Sequence, residues 1–150
     1  MAREGTFSYT AAGSCDLPTA MALLSDLTRQ GELHPLIIGV EPLAVSPGAV
    51  ASYAITDRLT IGPIAFRIRY FADVLAVTGD DIRTVARQSP ATTVTNHTHV
   101  AATRDGVTVA VDVTLRAPTL LFAYAFRTAR TAHLALGERI SARLDELARP

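Results

Sequence analysis

The sequence of 150 residues predicts one α+β domain in which a curved, seven-stranded antiparallel sheet meets a single long helix. Every second residue from Val107 to Leu115 is apolar, which is typical of a strand with one buried face. After Pro118 the apolar spacing becomes helical, and this change predicts one helix from about Thr119 to Ala148. Short turns between the preceding apolar runs predict antiparallel hairpins.

The predicted helix is long for a domain of this size. About 30 residues of helix extend roughly 45 Å, more than the depth of one sheet, so we expect the helix to lie across a broad curved sheet and to enclose a cavity. Its apolar stripe consists of Phe122, Phe126, Ala129, His133, Leu136, Ile140, Leu144 and Leu147.

The first third of the chain predicts one strand followed by two short helices. The strand covers Thr6 to Cys15, after which Asp16 is suited to cap a helix with Pro18 in its first turn. A second short helix is expected over Thr28 to Leu33, and it should end at His34-Pro35 because a residue before proline disfavours helical geometry.

The rest of the chain before the long helix predicts six strands in a meander, which gives the order β-α-α-β6-α. The predicted turns are Ser46-Pro47-Gly48, Gly62-Pro63, Gly79-Asp80-Asp81, Ser89-Pro90 and Asp105-Gly106.

Composition excludes several classes of function. All 14 basic residues are Arg, they are balanced by 14 acidic residues, and they are spread along the chain, so we expect no binding of nucleic acid. The sequence contains no run of 18 apolar residues, so we expect no stable insertion in a membrane. The single Cys15 cannot form an internal disulfide, and no secretion signal is evident, so a cytoplasmic location is expected.

The order of elements, with His34-Pro35-Leu36-Ile37 after the short helices and a helix after the valine-rich strand, resembles the START/Bet v 1-like (SRPBCC) helix-grip superfamily. It is most similar to the bacterial polyketide cyclase/dehydrase-like members, and the resemblance covers nearly the whole chain. The resemblance implies a curved sheet that grips the long helix around a cavity for a lipid, a sterol, a polyketide or another apolar molecule. The superfamily includes carriers, sensors and enzymes, so the fold does not select among these functions.

Strand parity predicts which side chains face the cavity. From Ile64 to Val74 the even-numbered residues are mostly apolar, so we expect them to point inward. A two-residue turn at Asp105-Gly106 would pair Thr98 with Val113 and would point Asn96 and Thr98 inward. A three-residue loop would reverse that parity.

The same register would place His97 and His99 on the outer face, with His99 opposite Asp112 and His97 opposite Thr114. Two histidines and a carboxylate could hold a metal ion, but a solvated strand face is the expected interpretation and no metal or other cofactor is predicted. Cys15 is expected to be a small buried apolar residue rather than a reactive thiolate.

His133 is the polar residue in the centre of the helical stripe. In an apolar pocket it could orient a ligand or act as a general acid or base, and it is the candidate catalytic residue. Alternatively, it is a core histidine that bonds to Asn96 or Thr98. The predicted ligand-binding residues are His34, Tyr53, Phe66, Ile68, Tyr70, Asn96, Thr98, Phe122, Phe126, Ala129 and His133.

At the start of the long helix, Leu120 and Tyr124 project from the face opposite the main stripe. We expect a second subunit of a homodimer to cover them, with the loop after Gly62 and a transient membrane contact as alternatives.

Three functions are consistent with these patterns. The leading hypothesis is binding or carriage of a small hydrophobic molecule, because no catalytic set of residues is evident. The alternative is a polyketide cyclase or dehydratase that uses His133 with Tyr70 or Asn96 as acid and base. The third is a protein-interaction or dimerisation module.

Overall fold

The computed structural model describes residues 1–149, in which a seven-stranded sheet is combined with three helices. The elements are β1 (Ala2–Gly13), α1 (Leu17–Ser25), α2 (Leu27–Gly31), β2 (Ile37–Leu43), β3 (Ala51–Ile61), β4 (Ile64–Val77), β5 (Asp81–Gln88), β6 (Thr92–Thr103), β7 (Gly106–Pro118) and α3 (Thr119–Leu147).

The sheet is antiparallel throughout, in the order β1-β7-β6-β5-β4-β3-β2. Strands β2 to β7 form the predicted meander, and β1 joins its far edge beside β7. The first strand is longer than predicted at its start, because it pairs with β7 from Ala2 opposite Pro118 to Gly13 opposite Val107. The predicted helix-grip fold is confirmed.

Two aspartates start the short helices. Asp16 accepts a hydrogen bond from the backbone N–H of Thr19 at 2.9 Å, as an N-cap residue does. Asp26 does the same for Thr28 at 3.0 Å, so α2 begins at Leu27, one residue earlier than predicted. Both helices therefore begin where a side chain satisfies their free N–H groups.

Helix α3 packs on β1 and β7. Its 29 residues extend about 44 Å, and in its second half Leu136, Ile140 and Leu144 are at most 1 % exposed. Gly137 permits close approach to β1, because a Cβ atom there would lie 2.9 Å from the ring of Tyr9. Neither α3 nor another helix in the part of the chain described is long and apolar enough to cross a membrane.

The alternating apolar residues of β7 form the centre of the core, as predicted. Val107, Val109, Val111 and Val113 are at most 3 % exposed, whereas Ala110 between them is exposed. The buried face of β7 therefore lies on the side that α1 and α3 cover.

The register of the β6–β7 hairpin differs from the prediction by two residues. The turn is Arg104-Asp105, and Gly106 is the first residue of β7. Gly106 is required in the strand, because a Cβ atom there would lie 2.7 Å from Cα of Ser14. A shift of two keeps the parity, so the predicted faces hold although the predicted partners do not.

Strand β4 points Phe66, Ile68 and Tyr70 inward, as its parity predicts. Ile64 has the same parity and pairs with Ile61, which lines the cavity. Ile64 is nevertheless 65 % exposed, because it lies at the tip of the β3–β4 hairpin.

Replacement of Val111 by Asp should lower the free energy of unfolding by about 4 kcal/mol or more, because the carboxylate would lose its hydration without gaining a partner. Ala110→Asp is the matched control, since its side chain lies on the exposed face of the same strand. Chemical denaturation of both variants measures the difference. Equal stability of the two variants would contradict the assigned orientation of β7.

Candidate functional site

A cavity of about 410 Å³ lies between α3 and the concave face of the sheet, with residues from α1 and α2 completing its wall. Most of its lining is aliphatic or aromatic, and a small number of polar side chains interrupt this surface. Its volume and composition are those of a pocket for a small organic molecule.

One end of the cavity is closed and the other is open to solvent. Leu24, Ile82 and Thr98 line the closed end and are buried. Ile61 and Leu121 line the other end and are 53 % and 42 % exposed. The mouth of the cavity therefore lies between the β3–β4 hairpin and the first turn of α3.

Asp57 and Tyr70 form a hydrogen-bonded pair on the wall. The Tyr70 hydroxyl donates to Oδ1 of Asp57 at 3.1 Å, and Asp57 is 7 % exposed. Burial raises the pKa of Asp57 to about 6, although the bond from Tyr70 opposes this shift. Burial also raises the pKa of the Tyr70 phenol. At neutral pH the pair is therefore a carboxylate that accepts from a neutral phenol.

His34 and His133 face each other at the cavity wall with ring centroids 5.4 Å apart and perpendicular planes. Nδ1 of His34 accepts from the backbone N–H of Leu36 at 3.2 Å, so its proton lies on Nε2. Nδ1 of His133 donates to the carbonyl of Ala129 at 2.7 Å, so its Nε2 has a free lone pair. One ring thus offers a donor and the other an acceptor.

Both histidines are neutral at physiological pH. Burial lowers the pKa of His34 to about 3, with a further contribution from nearby His133 and Arg139. Burial also lowers the pKa of His133, against the opposing effect of its bond to Ala129. No protein group in residues 1–149 pairs with Nε2 of either ring, and both residues line the cavity. These atoms are therefore available to a ligand.

The interpretation of His133 as a core histidine bonded to Asn96 or Thr98 is wrong, because its partner is a carbonyl of its own helix. The predicted catalytic pairing of His133 with Tyr70 or Asn96 is not formed either, since Tyr70 donates to Asp57. A period of 3.6 residues places His133 on the inner face of α3 but does not reveal the bond to Ala129.

Most of the predicted ligand-binding residues line the cavity. They are His34, Phe66, Ile68, Tyr70, Asn96, Thr98, Ala129 and His133.

Tyr53, Phe122 and Phe126 were also predicted to line the cavity and do not. Phe126 packs edge-on against Phe7 with centroids 5.5 Å apart, and Phe122 stacks on Phe126. The first part of the apolar stripe of α3 therefore packs on β1 and does not line the cavity. Other residues in the same turns of the helix face the cavity instead. Tyr53 is buried in the core beyond the cavity wall.

The Asp57 side chain was not identified from the sequence. It occupies an inward position of β3, between Ile55 and Leu59, where the alternation requires an apolar residue. A carboxylate at an apolar position of a strand is the signal that could have identified it.

Tyr124 lines the cavity near its mouth, and its hydroxyl donates to the carbonyl of Thr60 in β3 at 3.3 Å. The contact is therefore with the end of β3 and not with the loop after Gly62, and the prediction that Tyr124 projects from the face opposite the apolar stripe is wrong, because Tyr124 faces the cavity. Leu120 is 96 % exposed. A homodimer that covers Leu120 stays a prediction.

On the outer face, His97 and His99 both contact Asp81 rather than Asp112. Nε2 of His97 lies 3.3 Å and Nδ1 of His99 lies 2.8 Å from Oδ1 of Asp81. The bond from His99 lowers the pKa of Asp81, and the bond to Asp81 raises the pKa of His99. His99 is exposed and His97 and Asp81 are half-buried, which fits a solvated strand face. The predicted pairing of His99 with Asp112 is wrong, because the register places Asp112 opposite His97 and Ala110 opposite His99.

Cys15 is buried, as predicted. Burial raises the pKa of its thiol, and the adjacent Asp16 adds to this shift. The thiol therefore stays protonated at neutral pH.

Comparisons with known proteins identify the fold. No family model matches the sequence, and no curated protein matches it. A START superfamily protein from Mycobacterium smegmatis superposes with a TM-score of 0.71 at 16 % identity, over 95 % of this chain and 98 % of that one. The protein Ara h 8.0201 superposes with a TM-score of 0.62 at 12 % identity, over 93 % and 99 % of the two chains.

The di-domain ARO/CYC protein StfQ, from the steffimycin biosynthetic pathway, superposes with a TM-score of 0.72 at 16 % identity. The match covers 97 % of this chain and 52 % of StfQ, so the chain spans about half the length of that protein. These likenesses establish that the chain has the START/Bet v 1-like helix-grip fold.

Replacement of Asp57 by Asn should stabilise the protein more at pH 8 than at pH 4. A carboxyl whose pKa rises on folding favours the folded state at low pH, and this contribution is lost as pH rises from about 4 to about 6. The gain from Asp57→Asn should therefore be larger at pH 8 by about 2 kcal/mol. Urea unfolding of parent and variant at both pH values measures it, and a gain independent of pH would contradict the raised pKa.

Proposed function

We propose that the protein binds a small hydrophobic molecule in its internal cavity. The observation that carries the proposal is the cavity itself, about 410 Å³ of largely apolar space that opens to solvent at one end. A void of this size in the core of a small domain forgoes many packing contacts. A ligand would restore these contacts.

The polar groups on the wall support binding of a molecule that also carries polar atoms. The cavity is faced by Nε2–H of His34, Nε2 of His133 and the amide of Asn96, none of which has a protein partner within residues 1–149. A few such groups in an apolar pocket fix the orientation of a ligand. The structural neighbours include the Mycobacterium smegmatis START superfamily protein and the ARO/CYC protein StfQ, whose fold is compatible with this role.

A cavity that is buried at one end and open to solvent at the other is consistent with binding or carriage. Native mass spectrometry of protein purified from its own host would identify a retained molecule.

Ala129→Phe should weaken saturable binding of a fluorescent hydrophobic probe by about tenfold or more, because the added ring occupies the cavity. Ala123→Phe is the matched control, since Ala123 lies on the exposed face of the same helix. Fluorescence titration of both variants provides the measurement. Unchanged binding by Ala129→Phe would place the probe site elsewhere.

A second candidate is a polyketide cyclase or dehydratase. It is favoured by the two neutral histidines of opposite hydrogen-bonding character, because one could accept a proton from the carbon next to a carbonyl while the other donates to the carbonyl oxygen. The ARO/CYC proteins StfQ and BexL among the structural neighbours are consistent with this chemistry.

This candidate can be tested with one residue. His133→Gln should abolish turnover of a linear polyketone while leaving probe binding within about threefold of the parent, since the proton acceptor is lost and the cavity is not filled. Mass spectrometry of the products distinguishes turnover from binding. Absence of turnover by the parent protein on such substrates would leave binding as the function.

A further inference from the structure

We propose that the cavity selects an apolar ligand that carries a positively charged amine, and that the ammonium group pairs with Asp57. This inference rests on the proposed binding function and adds the charge class of the ligand.

The wall of the cavity carries a net negative charge. Asp57 is its one carboxylate, and no Lys or Arg belongs to the part of the lining that the structure describes. His34 and His133 are neutral near pH 7 because burial lowers their pKa values. The phenols of Tyr9 and Tyr70 are also neutral, because burial raises their pKa values. The formal charge of the wall near pH 7 is therefore that of Asp57.

The part of the chain that the structure describes supplies no cation to this carboxylate. Within residues 1–149 no ion pair involves Asp57, and its one side-chain contact is the hydroxyl of Tyr70. Arg58 and Arg67 pair across β3 and β4 beside it, but strand alternation directs both to the exposed face. The guanidinium of Arg139, whose charge contributes to the lowered pKa of His34, donates to the carbonyl of Leu33 at 3.1 Å.

A carboxylate in an apolar wall lacks both a counter-charge and most of its hydrogen-bond donors. Burial without a cation is unfavourable, and the raised pKa of Asp57 reflects that cost. A carboxylate accepts about four hydrogen bonds, of which Tyr70 provides one. A primary ammonium carries three N–H donors and a full positive charge, so it can satisfy the acceptors that remain.

The rest of the lining fits an apolar body attached to the amine. Leu59, Phe66 and Ile68 surround Asp57 on β3 and β4 and also line the cavity. Because the carboxylate lies among these side chains, a ligand that reaches it must also bury apolar surface. An anionic ligand of the same shape would place a like charge beside Asp57 and should be excluded.

Three probes with one skeleton test the proposal, namely 4-phenylbutylamine, 4-phenylbutan-1-ol and 4-phenylbutyrate. Calorimetric titration at pH 8 should give at least tenfold tighter binding of the amine than of the alcohol, with the carboxylate weakest. At this pH Asp57 is ionised and the amine is still protonated.

Asp57→Asn and Asp57→Leu remove the charge in a polar and in an apolar manner. Each variant should bind the amine with an affinity within about threefold of its affinity for the alcohol. The affinity for the alcohol should stay close to that of the parent. Asp112→Asn is the matched control, because Asp112 lies on the exposed outer face and accepts from Ser8. It should keep the full preference for the amine.

The outcomes separate this inference from the proposed function. If the parent binds amine and alcohol equally, or if the preference survives in either Asp57 variant, the charge selection is overturned and the binding function stands. If none of the three probes binds to the parent, and a fluorescent hydrophobic probe also fails, both are overturned.

Discussion

The contact between α3 and the β1–β7 edge of the sheet is the constraint on which the rest of the structure depends. The second half of α3 is fixed there by Leu136, Ile140 and Leu144, and Gly137 lets the helix approach Tyr9 closely. A straight helix held at one edge cannot follow a twisted sheet across its width. The backbone of α3 therefore stands farther from β3, β4 and β5, and the space that remains is the cavity.

The polar groups in that space differ in how the protein supports them. Backbone groups satisfy one nitrogen of His34 and one of His133, which fixes the tautomer of each ring, and burial keeps both rings neutral. Asp57 has no comparable support beyond Tyr70. A residue that lowers stability at an internal position, as Asp57 does, is a strong candidate for a role in the proposed binding.

Much of the fold could be predicted because the local spacing of apolar residues determines the strands and the long helix. The alternation in β7 and the helical spacing of α3 each depend on burial of one face, and the register error in the β6–β7 hairpin left the faces unchanged because it was a shift of two. Phe126 shows the limit, since its helical position was right but its neighbour is Phe7 of β1 rather than the cavity. Asp57 shows a second limit of prediction from sequence. Its burial, and the lack of a cation beside it in the described residues, depend on three strands that come together only in the fold.

Helix α3 is held unevenly along its length. Pro118 occupies the N-cap position and provides no side-chain hydrogen bond to the helix. Leu120 and Leu121 near the cavity mouth are exposed, whereas Leu144 near the other end is completely buried. The free energy of local opening should therefore increase from the first turn of the helix to the last. Under the proposed function, exchange of a bound molecule would use fraying of the turns beside the mouth, so substitutions there should change the residence time while the global unfolding rate stays the same.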